Sequence, residues 1–553
     1  MNQNPGTHTN PLKLGMVVAG SLTEGVQIRL DVGISTESIK VGTFVSIQGD
    51  QFRFFGQVTG VALETADLSL RGAPPDVSNP FIEQVISGTT AYGMITVEPM
   101  LVISDSDDPT AVLDGPQPAK TIPPHFARVS IATENDIEIV FGKEDKKHFH
   151  IGNPLDMVTK LALNIPELVT RSNGVFGKSG TGKTFLARLL LIGIMQNSDA
   201  VNLVFDMHSE YGWRGSSEGT GGEVKGLKQL FSSKVAVFTL DEESSRRRGV
   251  STDHVVRIGY PEIEPEDILI LKETLNLSDV AADAAYSLHR HFGRNWLQDF
   301  LSSKGREELG NLADLIGGVN ANALSSLYNR LSRLERLQFI EGSGQDSLNH
   351  ILQYLERGMH VVLEFGRYGN DLASYILVAN LLTRRIHERY MQMSEQASDD
   401  PSKQPRPLVI TIEEAHKFLT PSVANQTIFG TIAREDRKYN VTLMVIDQRP
   451  SGIDEEVMSQ LGTKITCLLD SERDIDSVLT GRSGSRKLRD VLSRLASKQQ
   501  ALAFGHALPM PVVIEVREYG TPEFYKSLGF KDKTSQKEEL DRDIKDLFGT
   551  TEE

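Results

Sequence analysis

The sequence predicts an α/β protein. A parallel-sheet core is preceded by a small β-barrel and interrupted by an inserted helical subdomain. Three observations predict this. A complete GxxxxGK[ST] loop sits between a short apolar run and an apolar helical stretch. Seven runs rich in Val, Ile and Leu, the first of them leading into that loop, are apolar throughout, the pattern of strands covered on both faces. The first 141 residues hold short apolar runs broken by turn residues, with no long helical period.

Composition bounds the rest. At 553 residues the chain has room for roughly three domains. Hydrophobic residues are 39% and charged residues 24%, which excludes collagen-like, wholly disordered and disulfide-scaffold classes. Lys+Arg 58 against Asp+Glu 74 gives a net charge of −16. So acidic a chain does not coat nucleic acid with its whole surface, and any DNA contact needs a basic channel or patch. The single cysteine, Cys467, excludes an intramolecular disulfide and fits a reducing compartment. The N-terminus lacks the charged-then-apolar order of a signal peptide. The longest apolar run, Phe185 to Met195, is interrupted by Arg188 and is too short to span a bilayer. The expectation is a soluble cytoplasmic protein with no membrane contact.

In chain order, residues 1–141 are read as the barrel, because closure removes exposed strand edges. Its strands are placed around Met16–Val18, Val26–Leu30, Phe44–Ile47, Phe52–Val58, Met94–Val97 and Ile137–Phe141. Ser104 to Pro124, with five prolines, reads as a long surface loop. The charged stretch Gly142–Pro154 reads as a link into the core, whose first part is placed at 142–261. Core strands are expected at 174–176, 201–205, 235–239, 360–365, 408–412, 441–446 and 464–469. Residues 262–345, opened by Pro265 and the acidic pair Glu266-Asp267, form the helical insert, and 346–520 complete the core. The tail, 521–553, is highly charged. Within it Leu540, Ile544, Leu547 and Phe548 fall on one helical face.

The phosphate-binding motif is Gly177, Lys178, Ser179, Gly180, Thr181, Gly182, Lys183 and Thr184. Its glycines let successive backbone N–H groups turn inward around phosphates, and the following helix adds its positive dipole end. Lys183 would reach the β- and γ-phosphates, and Thr184 would hold Mg²⁺ through its hydroxyl. The second half of such a site is a pair of carboxylates ending an apolar strand: Glu413 and Glu414 after Leu408–Ile412. Glu414 is assigned to activating water and Glu413 to the metal side. The alternative is a surface acidic pair opening a helix, which the complete phosphate loop disfavours.

The segments FGKSGTGKT, FDMHSEYGW, ITIEEAHKFL and IAREDRKYNVTLMVIDQRPS, in that order, resemble the HerA family of the FtsK–HerA superfamily. The resemblance covers roughly residues 150–520. It implies a RecA-like P-loop NTPase core behind a HAS-barrel-like domain, with ATP and Mg²⁺ as cofactors. It also implies a homo-hexamer that translocates double-stranded DNA with a nuclease or other effector, either NurA-type or a sirtuin-like defence effector. By that resemblance Glu414 is the catalytic glutamate. Glu413 stands where the family usually has Asp, one methylene longer on the metal side. Gln448 matches a γ-phosphate sensor. Arg437, or else Arg434, matches the arginine finger entering the neighbouring subunit, and Arg171 matches an arginine near the nucleotide. Asp206-Met207-His208-Ser209-Glu210-Tyr211 matches a D-x-H-x-E-Y segment, read as a polar network rather than a metal site.

Candidate DNA contacts are Trp213 and Arg214, the triplet Arg246, Arg247 and Arg248, and the cluster Arg482, Arg486, Lys487 and Arg489. Phosphate contact needs only charge and reach, and no base-reading motif is present, so sequence-independent binding is expected. Both DNA-end processing and anti-phage defence fit the resemblance. The helical insert and the EEAH variant tilt the reading towards defence. A ring scaffold that assembles an effector, with little motor activity of its own, is the competing class. A rotary-type ATPase subunit fits less well, and so does the FtsK branch.

Overall fold

A computed structural model of the chain describes residues 12–530, apart from 77, 79, 87–88, 105–114, 217–222, 304, 343–345, 423, 425–426 and 482–484. Six strands near the N-terminus close into a barrel: Lys13–Ser21, Gly25–Leu30, Phe44–Gln48, Phe52–Thr65, Ala91–Ser104 and Arg128–Ile131. Closure comes from Gly25–Leu30, which pairs with Lys13–Ser21 on one side and Ala91–Ser104 on the other. Each strand then has two neighbours and no free edge. Val26, Ile28, Val45, Val58 and Val97 fill the interior at 0% exposure. The expected surface loop 104–124 carries the short strand Gln117–Pro118, paired to the barrel's outside, and its residues 105–114 lie outside the described set.

One expected barrel strand is a helix. Ile137–Phe141 belongs to the helix Glu134–Phe141. Thr133 caps it: its hydroxyl oxygen accepts from the Asp136 N–H, and the Asp136 carboxylate accepts from the Thr133 N–H at 2.7 Å. That reciprocal cap overrides the β-preference of a run as short as Ile-Glu-Ile-Val-Phe. The helix carries Phe141 onto Phe44, and Gln57 donates to the Pro511 carbonyl at 2.7 Å, so barrel and core share packing.

The core sheet has twelve strands. Eight run parallel, in the spatial order His254–Val255, Val235–Thr239, His360–Glu364, Val201–Asp206, Leu408–Glu413, Val441–Asp447, Asn173–Phe176 and Thr463–Thr466. All seven predicted runs are among them. Four antiparallel strands extend the sheet: Gln500–Gly505, Val512–Val516, His148–Pro154 and Leu161–Asn164. The stretch expected as a link, Gly142–Pro154, therefore ends in a sheet strand. Its charges Lys143 to Lys147 stop where the strand begins, and His148–Pro154 is mostly buried.

Residues alternate across the parallel strands. Leu203, Phe205, Ile410 and Ile412 join one apolar cluster, while Val204 and Val409 join the other. The second cluster holds helix Lys183–Asn197, buried from Leu186 through Met195. The first cluster extends into the insert, whose helices include Pro265–Ile270, Asp279–Phe292, Trp296–Ser302 and Ala321–Leu331. Trp296, Phe300 and Leu327 share it with Phe205 and Phe238, so the insert packs onto the sheet. The short strands Ile258–Gly259, just before the insert, and Ile340–Glu341, near its end, pair and bring its two ends together. Among the described residues no helix is long and apolar enough to cross a membrane. The tail stripe Leu540, Ile544, Leu547 and Phe548 lies outside the described residues.

Candidate nucleotide site

Strand Asn173–Phe176 runs straight into the phosphate loop, and helix Lys183–Asn197 leaves it. Gly182 caps that helix in the left-handed region, φ 94° and ψ 16°, which a residue with a Cβ adopts only under strain. At Gly177 a Cβ would lie 2.8 Å from both the Cys467 Cβ and the Thr181 Oγ1. The loop braces itself. The Thr181 hydroxyl donates to the Lys178 carbonyl at 2.8 Å, the Lys183 ammonium to the same carbonyl at 2.7 Å, and Lys178 pairs with Asp470 at 2.9 Å.

A cavity of about 330 Å³ opens beside the loop. Ser179, Gly180, Gly182, Lys183 and Thr184 line one side; His208, Glu210, Glu413, Glu414, Asp447 and Gln448 line the other. The second group comes from strand ends. Four adjacent parallel strands finish in a carboxylate: Glu364, Asp206, Glu413 and Asp447. Asp206 and Glu364 are in register, and Asp447 lies level with Phe176, the last residue before the loop. Burial raises the pKa of a carboxyl group, and a neighbouring carboxylate raises it further. Burial, then Glu364, pushes Asp206 up to about 7; burial, then Asp206, pushes Glu413 up to about 8.

Each carboxylate has its own fixing contacts. Asp206 accepts from the backbone N–H groups of Glu210 and Tyr211, both at 2.8 Å, and of Gly212 at 3.2 Å. These bonds form the polar network expected for the D-x-H-x-E-Y segment. Glu413 accepts from the Tyr211 hydroxyl at 2.9 Å through Oε1, and its buried Oε2 has no hydrogen-bond partner. Glu414 has a left-handed backbone, φ 49° and ψ 46°, and accepts from the Gln448 amide at 2.7 Å. Asp447 accepts from the backbone N–H groups of His416 and Arg449, both at 2.7 Å, and its bond with the His416 ring raises that imidazole's pKa.

The residues present fit a divalent cation. Thr184 and Glu413 border the same cavity, and the orphaned Glu413 Oε2 is a buried acceptor in want of a donor or a cation. Donor atoms of Glu414, His416 and Asp447 also lie within 4.8 Å of one another.

Other predicted residues fall elsewhere. Arg171 precedes strand Asn173–Phe176 and packs against Gly462, at the opposite end of the sheet from the phosphate loop. This chain's fold therefore does not bring it beside its own nucleotide cavity. Arg434 donates to the Ala424 carbonyl at 3.5 Å and faces Glu456 at 3.9 Å. Arg437 lies in the 3₁₀ turn Asp436–Tyr439, and its side chain is outside the described set. Arg214 pairs with Glu223 at 2.9 Å across a short hairpin beside half-buried Trp213. The triplet divides. Arg246 and Arg247 are exposed and pair with Glu242 and Glu243, whereas Arg248 turns in to the fully buried Glu364 at 2.6 Å. Arg248 thus differs from its two neighbours in pairing with a buried rather than an exposed carboxylate. Arg489 pairs with Asp476; Arg482 and the side chains of Arg486 and Lys487 are outside the described residues.

Sequence reasoning assigned no role to Asp447 and no individual role to Tyr211. Asp447 was detectable as the acid closing an apolar strand, the same signal that marked Glu413. Tyr211 carried no such signal, because its partner lies 202 residues away.

Comparison with known proteins adds four findings. The family model described as "Helicase HerA, central domain" matches residues 149–386. The DNA double-strand break repair helicase HerA of Pyrococcus furiosus is 24% identical over 379 residues, covering 65% of this chain and 67% of that protein. Its namesake from Sulfurisphaera tokodaii is 22% identical over 546 residues, 92% and 93% of the two chains. Among solved structures, VirB4 of Thermoanaerobacter pseudethanolicus aligns at 15% identity with a TM-score of 0.41, over 69% of this chain and 99% of that one.

Proposed function

We propose that this chain, which belongs to the HerA family of P-loop ATPases, hydrolyses ATP to drive movement along double-stranded DNA. In this reading it works as a homo-hexamer with a nuclease or other effector, in anti-phage defence or DNA-end processing. One observation carries the reading: Lys183 and Thr184 of the phosphate loop face Glu413, Glu414 and Gln448 across a single cavity. That is the layout phosphoryl transfer to water requires, with positioning and charge stabilisation on one side and a water-orienting carboxylate on the other.

The loop N–H groups and the Lys183 ammonium bind the phosphates and orient the γ-group. Thr184 and Glu413 hold Mg²⁺, which when bound neutralises phosphate charge. Glu414 orients and deprotonates the attacking water, and its bond to Gln448 fixes the carboxylate and ties it to the strand Val441–Asp447. Arg437 or Arg434 of one subunit would stabilise charge in the next subunit's site, a contribution worth about 10³–10⁵ in rate for such fingers. The HerA names of the relatives, DNA double-strand break repair helicases, support DNA as the track. The exposed Arg246 and Arg247, with Arg214, supply charge for sequence-independent contact.

The test is steady-state ATP hydrolysis with and without linear double-stranded DNA. Hydrolysis should rise with DNA, vanish in Lys183→Ala, and fall about 10²–10⁴-fold in Glu414→Gln with ATP binding kept. Hydrolysis present in the wild type, absent in Lys183→Ala and indifferent to DNA would favour a ring scaffold over a motor.

A further inference from the structure

We propose that Tyr211 is the positioning residue for the metal-side carboxylate: its hydroxyl holds one oxygen of Glu413 and leaves the other for a divalent cation at the phosphate cavity. This rests on the reading of the cavity as an ATP·Mg²⁺ site.

The geometry is specific. Tyr211 is fully buried, and its hydroxyl donates to Glu413 Oε1 at 2.9 Å. Among the described residues this is the only side-chain hydrogen bond Glu413 makes; its Oε2 is buried and unpartnered, and Glu413 is one of the residues lining the cavity. A glutamate at this position has one more rotatable bond than an aspartate. Without a fixing contact, that bond would let the carboxylate swing between a metal-facing and a retracted rotamer. The tyrosine removes that freedom.

The tyrosine is itself held. Asp206 grips its backbone N–H, the Arg188 guanidinium lies 6.0 Å from its ring, and Arg188 also donates to the Glu210 carbonyl. Arg188 sits on the helix that begins with Lys183. The helix of the phosphate loop therefore braces the residue that aims the opposite carboxylate. The Tyr375 hydroxyl fixes the Glu413 carbonyl at 3.2 Å, so backbone and side chain of Glu413 are held by separate phenols.

Outer partners of metal-binding carboxylates typically change metal affinity about 10–100-fold when removed. The experiment is an equilibrium Mg²⁺ titration of full-length protein with a fluorescent, slowly hydrolysed ATP analogue. Tyr211→Phe keeps the ring and loses the hydroxyl. The Mg²⁺ concentration at half-saturation should rise about tenfold, with analogue affinity at saturating Mg²⁺ little changed. In a Glu413→Ala background the same substitution should add nothing, because no carboxylate remains to be held. A merely structural hydroxyl would act alike in both backgrounds. If Tyr211→Phe does not fold, Tyr211→Met, flexible and without a hydroxyl, is titrated in its place. A wild-type Mg²⁺ curve in the hydroxyl-free variant, or an equal shift in both backgrounds, overturns the proposal. Lys183→Ala separates the two readings. If it binds Mg²⁺ and analogue as the wild type does, the ATP·Mg²⁺ reading of the cavity fails. If only Lys183→Ala loses binding and Tyr211→Phe titrates normally, the positioning role alone fails.

Discussion

At the scale of single residues, burial sets chemistry more than residue type does. His360 opens a central strand, and its Nδ1 accepts from the Asn202 N–H at 3.1 Å. Burial drives its pKa down to about 4, so the folded protein holds the neutral ring. The unfolded chain protonates this histidine near 6.5, and so binds more protons between about pH 6.5 and 4. Stability is therefore fully present above pH 6.5 and is lost as pH falls towards 4, by up to roughly 3 kcal/mol from this group. His360→Asn keeps an acceptor and cannot titrate. The drop in melting temperature between pH 7.5 and 5 should be smaller in the variant. An equal drop in both proteins would assign the acid sensitivity to carboxylates instead.

Between elements, buried charge pairs fix how segments dock. Asp267, fully buried on the insert's first helix, accepts from Arg384 at 2.9 Å and from Asn380 at 3.1 Å, both on the long helix Leu372–Ala397. Arg384→Ala leaves that carboxylate buried without its cation and should destabilise by about 3–5 kcal/mol. Chemical denaturation should show the lowered midpoint, and Asp267→Leu combined with Arg384→Leu should recover much of it. The arginine triplet gives the contrasting case. Arg248→Ala strips the cation from buried Glu364 and should lower stability by about 3 kcal/mol. Arg246 and Arg247 form exposed pairs that contribute little to folding. Their double alanine variant should fold normally, yet weaken DNA binding and reduce its salt slope by about 2. Thermal melts and DNA titrations at several salt concentrations separate the two behaviours.

At the scale of the whole molecule, the proposed assembly, with an arginine finger supplied by a neighbour, would make activity a property of pairs of subunits. Lys183→Ala alone should be inactive, and Arg437→Ala alone nearly so. Mixing the two before assembly should restore part of the hydrolysis, because some interfaces then pair an intact loop with an intact arginine. No recovery with Arg437→Ala, but recovery with Arg434→Ala, would move the finger to Arg434. The net charge of −16 sharpens the same point. In the proposed reading, a protein this acidic would grip DNA through local basic patches, so DNA stimulation of hydrolysis should fall steeply as salt rises.

By itself the sequence determined what depends on neighbours along the chain. The phosphate loop is one contiguous segment whose glycines and following helix dictate its shape. The seven parallel strands announce themselves because burial on both faces demands unbroken apolar runs. Glu413 and Glu414 are legible for the same reason, as charges that interrupt such a run at its end. The helix at 134–141 was also written locally, in the Thr133–Asp136 cap, and was outweighed by its β-branched residues. Tertiary structure decided the rest. Gln500–Gly505 alternates weak strand formers such as Ala501 and Ala503, and becomes a strand because an edge of the parallel sheet is there to pair with it. Arg248 pairs with a buried carboxylate because Glu364 ends a strand beside it, and Tyr211 meets Glu413 only when two adjacent strands bring their ends level. A buried polar group must find a partner wherever the fold supplies one, and that pairing follows distance in space rather than position in the chain.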